Sequence, residues 1–221
     1  MRNKVSSKDI SEIINSLLEF ISLAEKLKTT LRHSWTSNPE RQESVAEHTW
    51  LMSLLALVLF EHIDTPVDKL KSLKMILVHD LGEAILGDIP AFEKSNRQET
   101  KHTDEKKAIT KIAFTLTNKK VANEIVSLWE EFEVGISNEA KFAVAMDKIE
   151  VLIQHNNADI KSWADGDFNN SPYYHDDKFD FDGFMRSFKD RVDRDTMEKV
   201  DSHKLLHRVD KKHVTRWLKS K

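Results

Sequence analysis

The adjacent pair His79 and Asp80 is the first feature of the chain with the composition of a metal site. It stands at the end of a predicted helix, just before Gly82, so both side chains can reach an ion there even though neighbouring helical residues point about 100° apart. An imidazole nitrogen and a carboxylate oxygen together suit divalent Mn, Fe, Co, Ni or Zn. Because two ligands are too few for a tight site, further ligands must come from elsewhere in the chain.

Two more residues are candidate ligands because each lies in an apolar helical segment. His48 directly follows Ser44–Glu47, a capping box that opens a helix. Asp147 lies among apolar neighbours, where a carboxylate is costly unless it is paired or binds a cation. Glu150, one turn later, could hydrogen-bond a ligand. His48 could equally be a hydrogen-bonded core histidine and Asp147 a partner of Lys148, and the spacing alone leaves both interpretations open.

The segments that contain these residues resemble the HD-domain superfamily. Residues 41–48 read RQESVAEH and residues 77–90 read LVHDLGEAILGDIP, followed by a distal Asp on a later helix. This order is similar to the pattern of the 5′-deoxynucleotidase branch and its HD-domain-containing protein 2 relatives. The resemblance covers roughly residues 17–152, and the region after about Trp163 shows no motif that we recognise.

The resemblance implies that one divalent ion (Mn, Co, Fe, Ni, Mg or Zn) is coordinated by His48, His79, Asp80 and Asp147. It implies a metal-dependent phosphohydrolase in which activated water attacks a (deoxy)nucleoside 5′-monophosphate. Between Leu81 and Met146 the sequence has only His102, whereas binuclear HD phosphodiesterases have two additional histidines there. Hydrolysis of a dNTP or of (p)ppGpp, and a nucleotide- or metal-binding regulatory module without turnover, remain alternatives.

The resemblance also implies roles for residues that the spacing leaves unassigned. Glu83 would orient or deprotonate the attacking water, and Asp88 would contact that water or the sugar. Arg32 would bind the phosphate and Trp35 the nucleoside, with Arg41 as a competing phosphate ligand. Because Glu83 and Asp88 are both present, hydrolysis is favoured over a module that only binds.

The elements that must position these residues are predicted to be helices. The chain has 5 Gly and 4 Pro among 221 residues, too few for many short strands, and no strand is predicted. The segment Trp50–Phe60 is apolar almost all round, which predicts the central buried helix. Apolar periodicity and capping signals predict helices over about 9–28, 45–60, 65–80, 103–116, 118–134 and 138–163, with residues 164–180 as a loop and one or two amphipathic helices after it.

The predicted fold class is therefore all-α, an HD-domain helical bundle with a C-terminal helical extension. Residues 1–163 would form the phosphohydrolase core, and residues 164–221 a loop and helical extension of the same domain. With 39% hydrophobic and 32% charged residues, the chain can bury a core beneath a charged surface, so the composition favours a folded chain over a disordered one. It has no cysteine, which excludes disulfides and thiolate metal ligands.

The distribution of charge along the chain indicates which kinds of binding partner to expect. The net charge of −3 selects none, but residues 203–221 carry seven Lys or Arg and one Asp. We interpret residues 203–221 as a helix that packs against the rest of the protein and not as a nucleic-acid-binding site. The reason is that four residues in this segment recur at helical spacing: Leu206, Val209, His213 and Trp217.

No segment reads as a signal peptide or is long enough to span a bilayer, so a cytoplasmic protein without a membrane partner is expected. The expected ligand is a small nucleotide, and the resemblance suggests a homodimer.

Overall fold

The computed structural model describes residues 6–90 and 96–221, which are mostly helical. The helices are α1 (Ser7–Ala24), α2 (Val45–Leu59), α3 (Lys69–Val78), α4 (Glu83–Leu86), α5 (Asn96–Ala113), α6 (Lys119–Val134), α7 (Asn138–Asn157), α8 (Asp165–Asn170), α9 (Gly183–Ser202) and α10 (Lys211–Ser220). Two short strands, β1 (Leu31–Trp35) and β2 (Gln42–Ser44), lie between α1 and α2. The predicted all-α class is confirmed as a helical bundle.

Several helix ends follow the predicted capping signals. The Ser44 hydroxyl accepts a hydrogen bond from the Glu47 N–H at 3.3 Å, and the Glu47 carboxylate accepts one from the Ser44 N–H at 2.9 Å. This reciprocal capping fixes the start of α2. Asn118 caps α6, which ends at Gly135 in a left-handed conformation with φ of 65°.

Three predicted helix boundaries are wrong. α3 begins at Lys69 and not at Pro66, because the Asp68 side chain accepts the Lys71 N–H at 3.0 Å and caps the helix there. α7 ends at Asn157 and not at residue 163, because the next residue is extended and a separate 3-10 turn follows over Ile160–Ser162. α5 already begins at Asn96, before the predicted start at residue 103.

The absence of strands was also predicted wrongly. β1 and β2 form an antiparallel hairpin in which Leu31 pairs with Ser44 and Trp35 with Gln42. The register is irregular between Leu31 and Trp35, so β1 bulges against the shorter β2. Alternation of buried and exposed positions does not hold through a bulge, which is why this segment reads as a polar loop in the sequence.

The main core surrounds α7, against which α2, α3, α6 and α9 pack. Its fully buried side chains include Met52, Met75, Ile76, Phe142, Met146, Ile149 and Leu152. A second cluster lies between α5, α6 and the turn after α3, and it includes Leu81, Ile109, Ile112 and Trp129. Burial of such side chains stabilises a fold by roughly 1.5–3 kcal/mol each.

α2 is not the central buried helix that its composition predicts. Met52 and Ala56 are fully buried, but Trp50 and Leu57 are 65% and 61% exposed. The central position belongs to α7, whose side chains alternate between core and cavity.

The C-terminal segment is ordered around a third cluster. Residues 164–180, predicted as a loop, contain α8 and the 3-10 turn Asp176–Phe179, and Phe168 is fully buried. The loop prediction is therefore wrong. Trp217 on α10 is buried in the same cluster, in line with the docked helix expected for the basic tail. Within residues 6–90 and 96–221, no helix combines the length and apolar character needed to cross a bilayer.

Candidate active site

His79 lies at the C-terminal end of α3 and is buried. Its Nδ1 atom is 2.7 Å from the carbonyl oxygen of Ile76. Because a carbonyl can only accept, Nδ1 carries the proton and Nε2 keeps its lone pair when the ring is neutral. That Nε2 atom is 3.0 Å from Oδ2 of Asp80.

His48, in the first turns of α2, is fully buried and faces α7. Its Nδ1 atom is 2.5 Å from Oε2 of Glu150, and its Nε2 atom is 3.3 Å from Oδ1 of Asp147 and 3.9 Å from Oδ2 of Asp80. Asp147 and Glu150 are three residues apart on α7, which places them on one face of that helix. One face of α7 therefore contacts both nitrogens of the His48 ring.

The structure thus brings together all four predicted ligands. Ligand atoms of His48, His79 and Asp147 lie within 4.8 Å of one another, and Asp80 contacts both histidines. Among the described residues, Nε2 of His48 and Nε2 of His79 are buried and have no hydrogen-bond partner. Two such nitrogens beside two carboxylates, with each histidine's Nδ1 held by an oxygen, fit a divalent cation.

Electrostatics keep the carboxylates of this cluster ionised. Burial opposes ionisation of Asp80, but His79 and Arg32 outweigh it and hold the pKa of Asp80 well below its usual range. Burial likewise opposes ionisation of Asp147, whose pKa is lowered by Lys148 and His48. Two ionised carboxylates provide the negative charge that binding of a divalent cation requires.

The same carboxylates act on His48 in the opposite direction. Burial and Arg32 favour the neutral ring, but Glu150 and Asp147 outweigh them and raise the pKa of His48 to about 10. A cation at this position would compete with that proton, as metal ligation by histidine generally does.

Arg32 reaches the cluster from β1. Its Nη1 atom lies 3.1 Å from Oδ2 of Asp80 and 3.8 Å from Oδ1 of Asp88. Arg41, the competing candidate, instead makes a bidentate pair with Glu47, at 2.8 and 2.7 Å, on the exposed end of α2. Of the two arginines, only Arg32 lines the cavity described below.

Glu83 is the first residue of the short helix α4, Asp88 follows that helix, and both line the cavity beside the cluster. Glu83 is buried, and its Oε2 atom has no hydrogen-bond partner among the described residues. Burial, Asp80 and Asp88 raise the pKa of Glu83 well above its usual value. Burial also raises the pKa of Asp88, against the effect of Arg32. Asp88 follows Gly87, whose φ of 74° suits glycine and turns the chain into the cavity.

One end of a cavity of about 470 Å³ is lined by Arg32, Asp80, Glu83, Asp88 and Asp147. That volume falls within the range of small-molecule sites. Trp35, the residue predicted to bind the nucleoside, is not among the described residues that line this cavity. The structure therefore does not place Trp35 where it could contact a ligand bound there. Trp35 lies beyond the bulge of β1, where its carbonyl accepts a hydrogen bond from Gln154 at 2.6 Å.

Two lysines that the sequence reasoning did not assign also line the cavity. Lys148 donates to Oδ2 of Asp147 at 2.7 Å, and Lys101 on α5 lies 3.6 Å from Glu105. Burial opposes the charge of each lysine, but neighbouring carboxylates raise both pKa values. Lys148 is adjacent to Asp147 in the sequence, which is the one signal that could have indicated it.

A largely buried polar cluster that also lines the cavity joins the hairpin to α7 and α8. His33 Nε2 lies 3.0 Å from Oδ2 of Asp167, and His155 contacts Ser171 through Nδ1 at 2.8 Å and Ser34 through Nε2 at 3.4 Å. The hydrogen bond to Asp167 raises the pKa of His33. Four of these residues lie in segments that read as loops in the sequence, so no periodic signal indicated them.

Comparison with known proteins gives a consistent result. A family model described as HD domain matches residues 24–187. The chain is 37% identical over 147 residues to the 5′-deoxynucleotidase HDDC2 of Dictyostelium discoideum (64% of this chain, 76% of that protein). It is 37% identical over 142 residues to the 5′-deoxynucleotidase HDDC2 of Danio rerio (64% of this chain, 68% of that protein).

Among solved structures, a predicted metal-dependent phosphohydrolase from Magnetospirillum magnetotacticum MS-1 is similar in fold. The TM-score is 0.74 at 22% identity, over 88% of this chain and 97% of that one.

Proposed function

The chain belongs to the HD domain family, and on this premise we propose that it is a metal-dependent 5′-nucleotidase that hydrolyses (deoxy)nucleoside 5′-monophosphates. One observation carries the proposal: the buried Nε2 atoms of His48 and His79 lie 3.3 Å from Asp147 and 3.0 Å from Asp80, and these two carboxylates line the end of a cavity. The two 5′-deoxynucleotidase relatives supply the substrate class.

We assign one divalent ion to His48, His79, Asp80 and Asp147, and Mn, Co, Fe, Ni, Mg or Zn are the candidates. When bound, such an ion supplies positive charge that lowers the pKa of a water and polarises a phosphate oxygen. The mixed nitrogen and oxygen donor set favours a transition metal over Mg.

Glu83 is the proposed proton acceptor. Its buried Oε2 atom has no hydrogen-bond partner among the described residues, and Glu83 lines the cavity, where its carboxylate would contact a water molecule. The raised pKa of Glu83 makes its carboxylate a stronger base than an exposed one, so it can hold the proton that the attacking water releases. Asp88, across from Arg32, would orient the same water or a sugar hydroxyl.

Arg32 and Lys148 are the proposed phosphate-binding cations. A guanidinium has five N–H donors, so Arg32 can keep its contacts with Asp80 and Asp88 and still donate to phosphate oxygens. Lys148, held at 2.7 Å from Asp147, lines the same cavity. Both would neutralise charge that develops on the phosphate during attack.

The decisive experiment measures phosphate release from dNMPs, NMPs, dNTPs and cyclic nucleotides after removal of metals and addition of Mn, Co or Mg. We expect release from the 5′-monophosphates that depends on added metal. Preferential release from dNTPs would favour the triphosphohydrolase alternative. Binding without release from any nucleotide would favour the regulatory module.

Asp80→Ala is the matched loss-of-metal variant, and Asp177→Ala, at an exposed aspartate on the 3-10 turn, is its control. We expect Asp80→Ala to lose bound metal and phosphate release together, whereas Asp177→Ala keeps both. An active, metal-free Asp80→Ala protein would refute the assignment.

We also infer a homodimer formed through α1. Its apolar stripe is 42% to 61% exposed and comprises Ile10, Ile13, Ile14, Leu17, Leu18 and Ile21. A contiguous exposed stripe of this kind marks an interaction surface, and a stripe along one helix can pair with itself across a two-fold axis. A cytoplasmic location is proposed on the substrate class alone, since mononucleotide pools lie inside the cell.

We further propose that residues 1–163 and 164–221 fold as one domain. Asp182, the cap of α9, accepts hydrogen bonds from the backbone N–H groups of Asp64 and Thr65, each at 2.9 Å. The proposed extension is thereby tied to the loop before α3.

A further inference from the structure

The cavity is longer than its cation-binding end. From the cluster of Asp80 and Asp147 it continues past His155 to the segment Ser171–His175 and to the first turn of α10. At about 470 Å³ it has room for more than a phosphate group, since sites of this size hold complete small molecules.

The segment Ser171–His175 has an unusual backbone. Tyr173 and His175 adopt left-handed conformations with φ of 60° and 46°, although neither residue is glycine. Such conformations are strained in residues with a Cβ atom, and they persist where the surroundings fix them, often at ligand-binding sites. Tyr174 lies between the two, and both tyrosines line the cavity.

The surroundings do fix this segment from both sides. The Tyr173 N–H donates to Oδ1 of Asp193 on α9 at 3.2 Å, and Ser171 is hydrogen-bonded to His155. Directly after the segment, Asp176 pairs with Arg186 at 2.8 Å and with Arg216 at 2.6 Å. α7, α9 and α10 therefore all hold the two tyrosines against the cavity.

The chemistry of this wall is aromatic and cationic. The Arg216 guanidinium lies 3.9 Å from the centre of the Tyr173 ring, and Lys148 lies 5.9 Å from that of Tyr174. Because Lys148 also bonds Asp147, Tyr174 stands next to the cation-binding end and Tyr173 beyond it. A ligand with a phosphate at one end and a flat ring at the other matches this order.

We propose that Tyr173 and Tyr174 bind the nucleobase of the substrate, so that the C-terminal extension supplies the wall that selects nucleotides over other phosphate monoesters. This inference rests on the proposed 5′-nucleotidase function and deepens it. Any of the four bases can stack on an aromatic side chain, because stacking uses the flat face of the base and not its hydrogen-bonding groups. The wall therefore accepts all four bases and discriminates against esters that lack one.

The competing explanation is that both tyrosines have only a structural role, because Tyr173 also packs on the third cluster and Tyr174 on the main core.

Two variants of Tyr174 distinguish these explanations. Tyr174→Leu keeps apolar volume without the ring, and Tyr174→Phe keeps the ring without the hydroxyl. Phe114→Ala is the control, because Phe114 is an exposed aromatic that does not line the cavity.

The test compares KM and kcat for the four common dNMPs with those for deoxyribose 5-phosphate, which has the same phosphate and sugar but no base. Loss of one stacked base predicts that Tyr174→Leu raises KM for the dNMPs about 10-fold to 100-fold. We expect KM for deoxyribose 5-phosphate to change less than about 2-fold, and Tyr174→Phe and Phe114→Ala to resemble the unmodified protein. Equal changes for both substrate types would overturn the proposal in favour of a structural role.

A second measurement does not depend on turnover or on metal. Calorimetric titration of metal-free protein with deoxyadenosine, which has a base but no phosphate, should give saturable binding that Tyr174→Leu weakens by the same factor. Absence of deoxyadenosine binding to the unmodified protein would refute the wall even if dNMPs are hydrolysed. Binding without dNMP hydrolysis would refute the nucleotidase function and leave the wall supported.

Discussion

Nδ1 of His48 and Oε2 of Glu150 lie 2.5 Å apart in a fully buried pair that joins α2 to α7. The carboxylate accepts the Nδ1 proton, so Nε2 is the atom turned toward Asp147. Glu150 therefore determines which nitrogen of His48 is available to a cation.

Glu150→Gln should weaken metal binding while leaving the four ligands in place. Loss of a carboxylate that orients a ligating histidine typically costs about 10-fold to 100-fold in metal affinity. Titration of the metal-free protein with Co, followed by its absorption spectrum, measures this change. Glu124→Gln, at an exposed glutamate paired with Lys74, is the control. Unchanged Co affinity in Glu150→Gln would show that Glu150 does not orient His48.

Glu83→Gln should retain the metal but slow turnover by about 100-fold to 10,000-fold, the usual contribution of a general base. In the unmodified protein kcat should rise with pH as Glu83 loses its proton. Because its pKa is raised, that rise should lie above the ordinary glutamate value of 4.5. Metal content and pH–rate profiles of both proteins check the prediction. A Glu83→Gln protein with an unchanged profile would exclude this role.

Arg32→Lys and Arg41→Lys should behave differently. Lysine keeps the charge of Arg32 but lacks the fork of donors that can hold carboxylates and a phosphate together. Loss of one charged hydrogen bond of roughly 1.5–3 kcal/mol predicts a fall in kcat/KM of about 10-fold to 100-fold. Arg41→Lys should leave kcat/KM unchanged, since Arg41 pairs with Glu47 at the end of α2. The reverse order of effects would make Arg41 the phosphate ligand.

The raised pKa of Glu43 should make the free energy of unfolding of the metal-free protein depend on pH. Burial and Glu150 raise the pKa of Glu43 to about 8 from 4.5, despite the opposing effects of His48 and Arg32. The folded state then binds this proton more tightly than the unfolded state does. Its contribution is complete below pH 4.5 and is lost as the pH rises through about 8.

Denaturant unfolding of metal-free protein at several pH values measures this loss, which should be on the order of 5 kcal/mol across that range. Glu43→Gln should flatten the pH dependence, and Glu40→Gln, at an exposed glutamate of the same hairpin region, should not. Parallel curves for Glu43→Gln and the unmodified protein would contradict the assignment.

Leu18→Glu should convert the proposed dimer to a monomer. Leu18 is 61% exposed in the middle of the apolar stripe of α1, and a buried charge there would oppose association. Light scattering over a range of protein concentrations gives the mass. Val134→Glu, at a comparably exposed position on α6, should leave the mass unchanged. A monomeric unmodified protein would refute the dimer.

The parts of the site that could be predicted from the sequence have local signals. His48 follows a capping box and His79 ends a helix, and both signals depend on a few neighbouring residues. Their convergence with Asp147, about 70 to 100 positions away, depends on how helices pack, and only the resemblance indicated it. The ligand assignment itself stays a prediction.

The parts of the site that could not be predicted from the sequence lie in segments whose backbone conformation is irregular. Arg32 lines the cavity and Trp35 does not, and this difference depends on a short, irregular hairpin that the sequence did not indicate. Tyr173 and Tyr174 lie in a segment whose composition is that of a loop. Long-range contacts with Asp193 and Arg216 hold that segment in place, and such contacts leave no trace in local sequence.

α7 carries Met146, Ile149 and Leu152 into the main core and Asp147 and Glu150 toward the histidines, within two turns of one helix. A cation held there binds the folded chain and not the unfolded one, so it shifts the folding equilibrium by roughly 2.7 kcal/mol at 100 times its dissociation constant. In a cell short of that metal, the protein is then expected to lose abundance through proteolysis as well as activity. The supply of one ion would thus set how much enzyme the cell keeps.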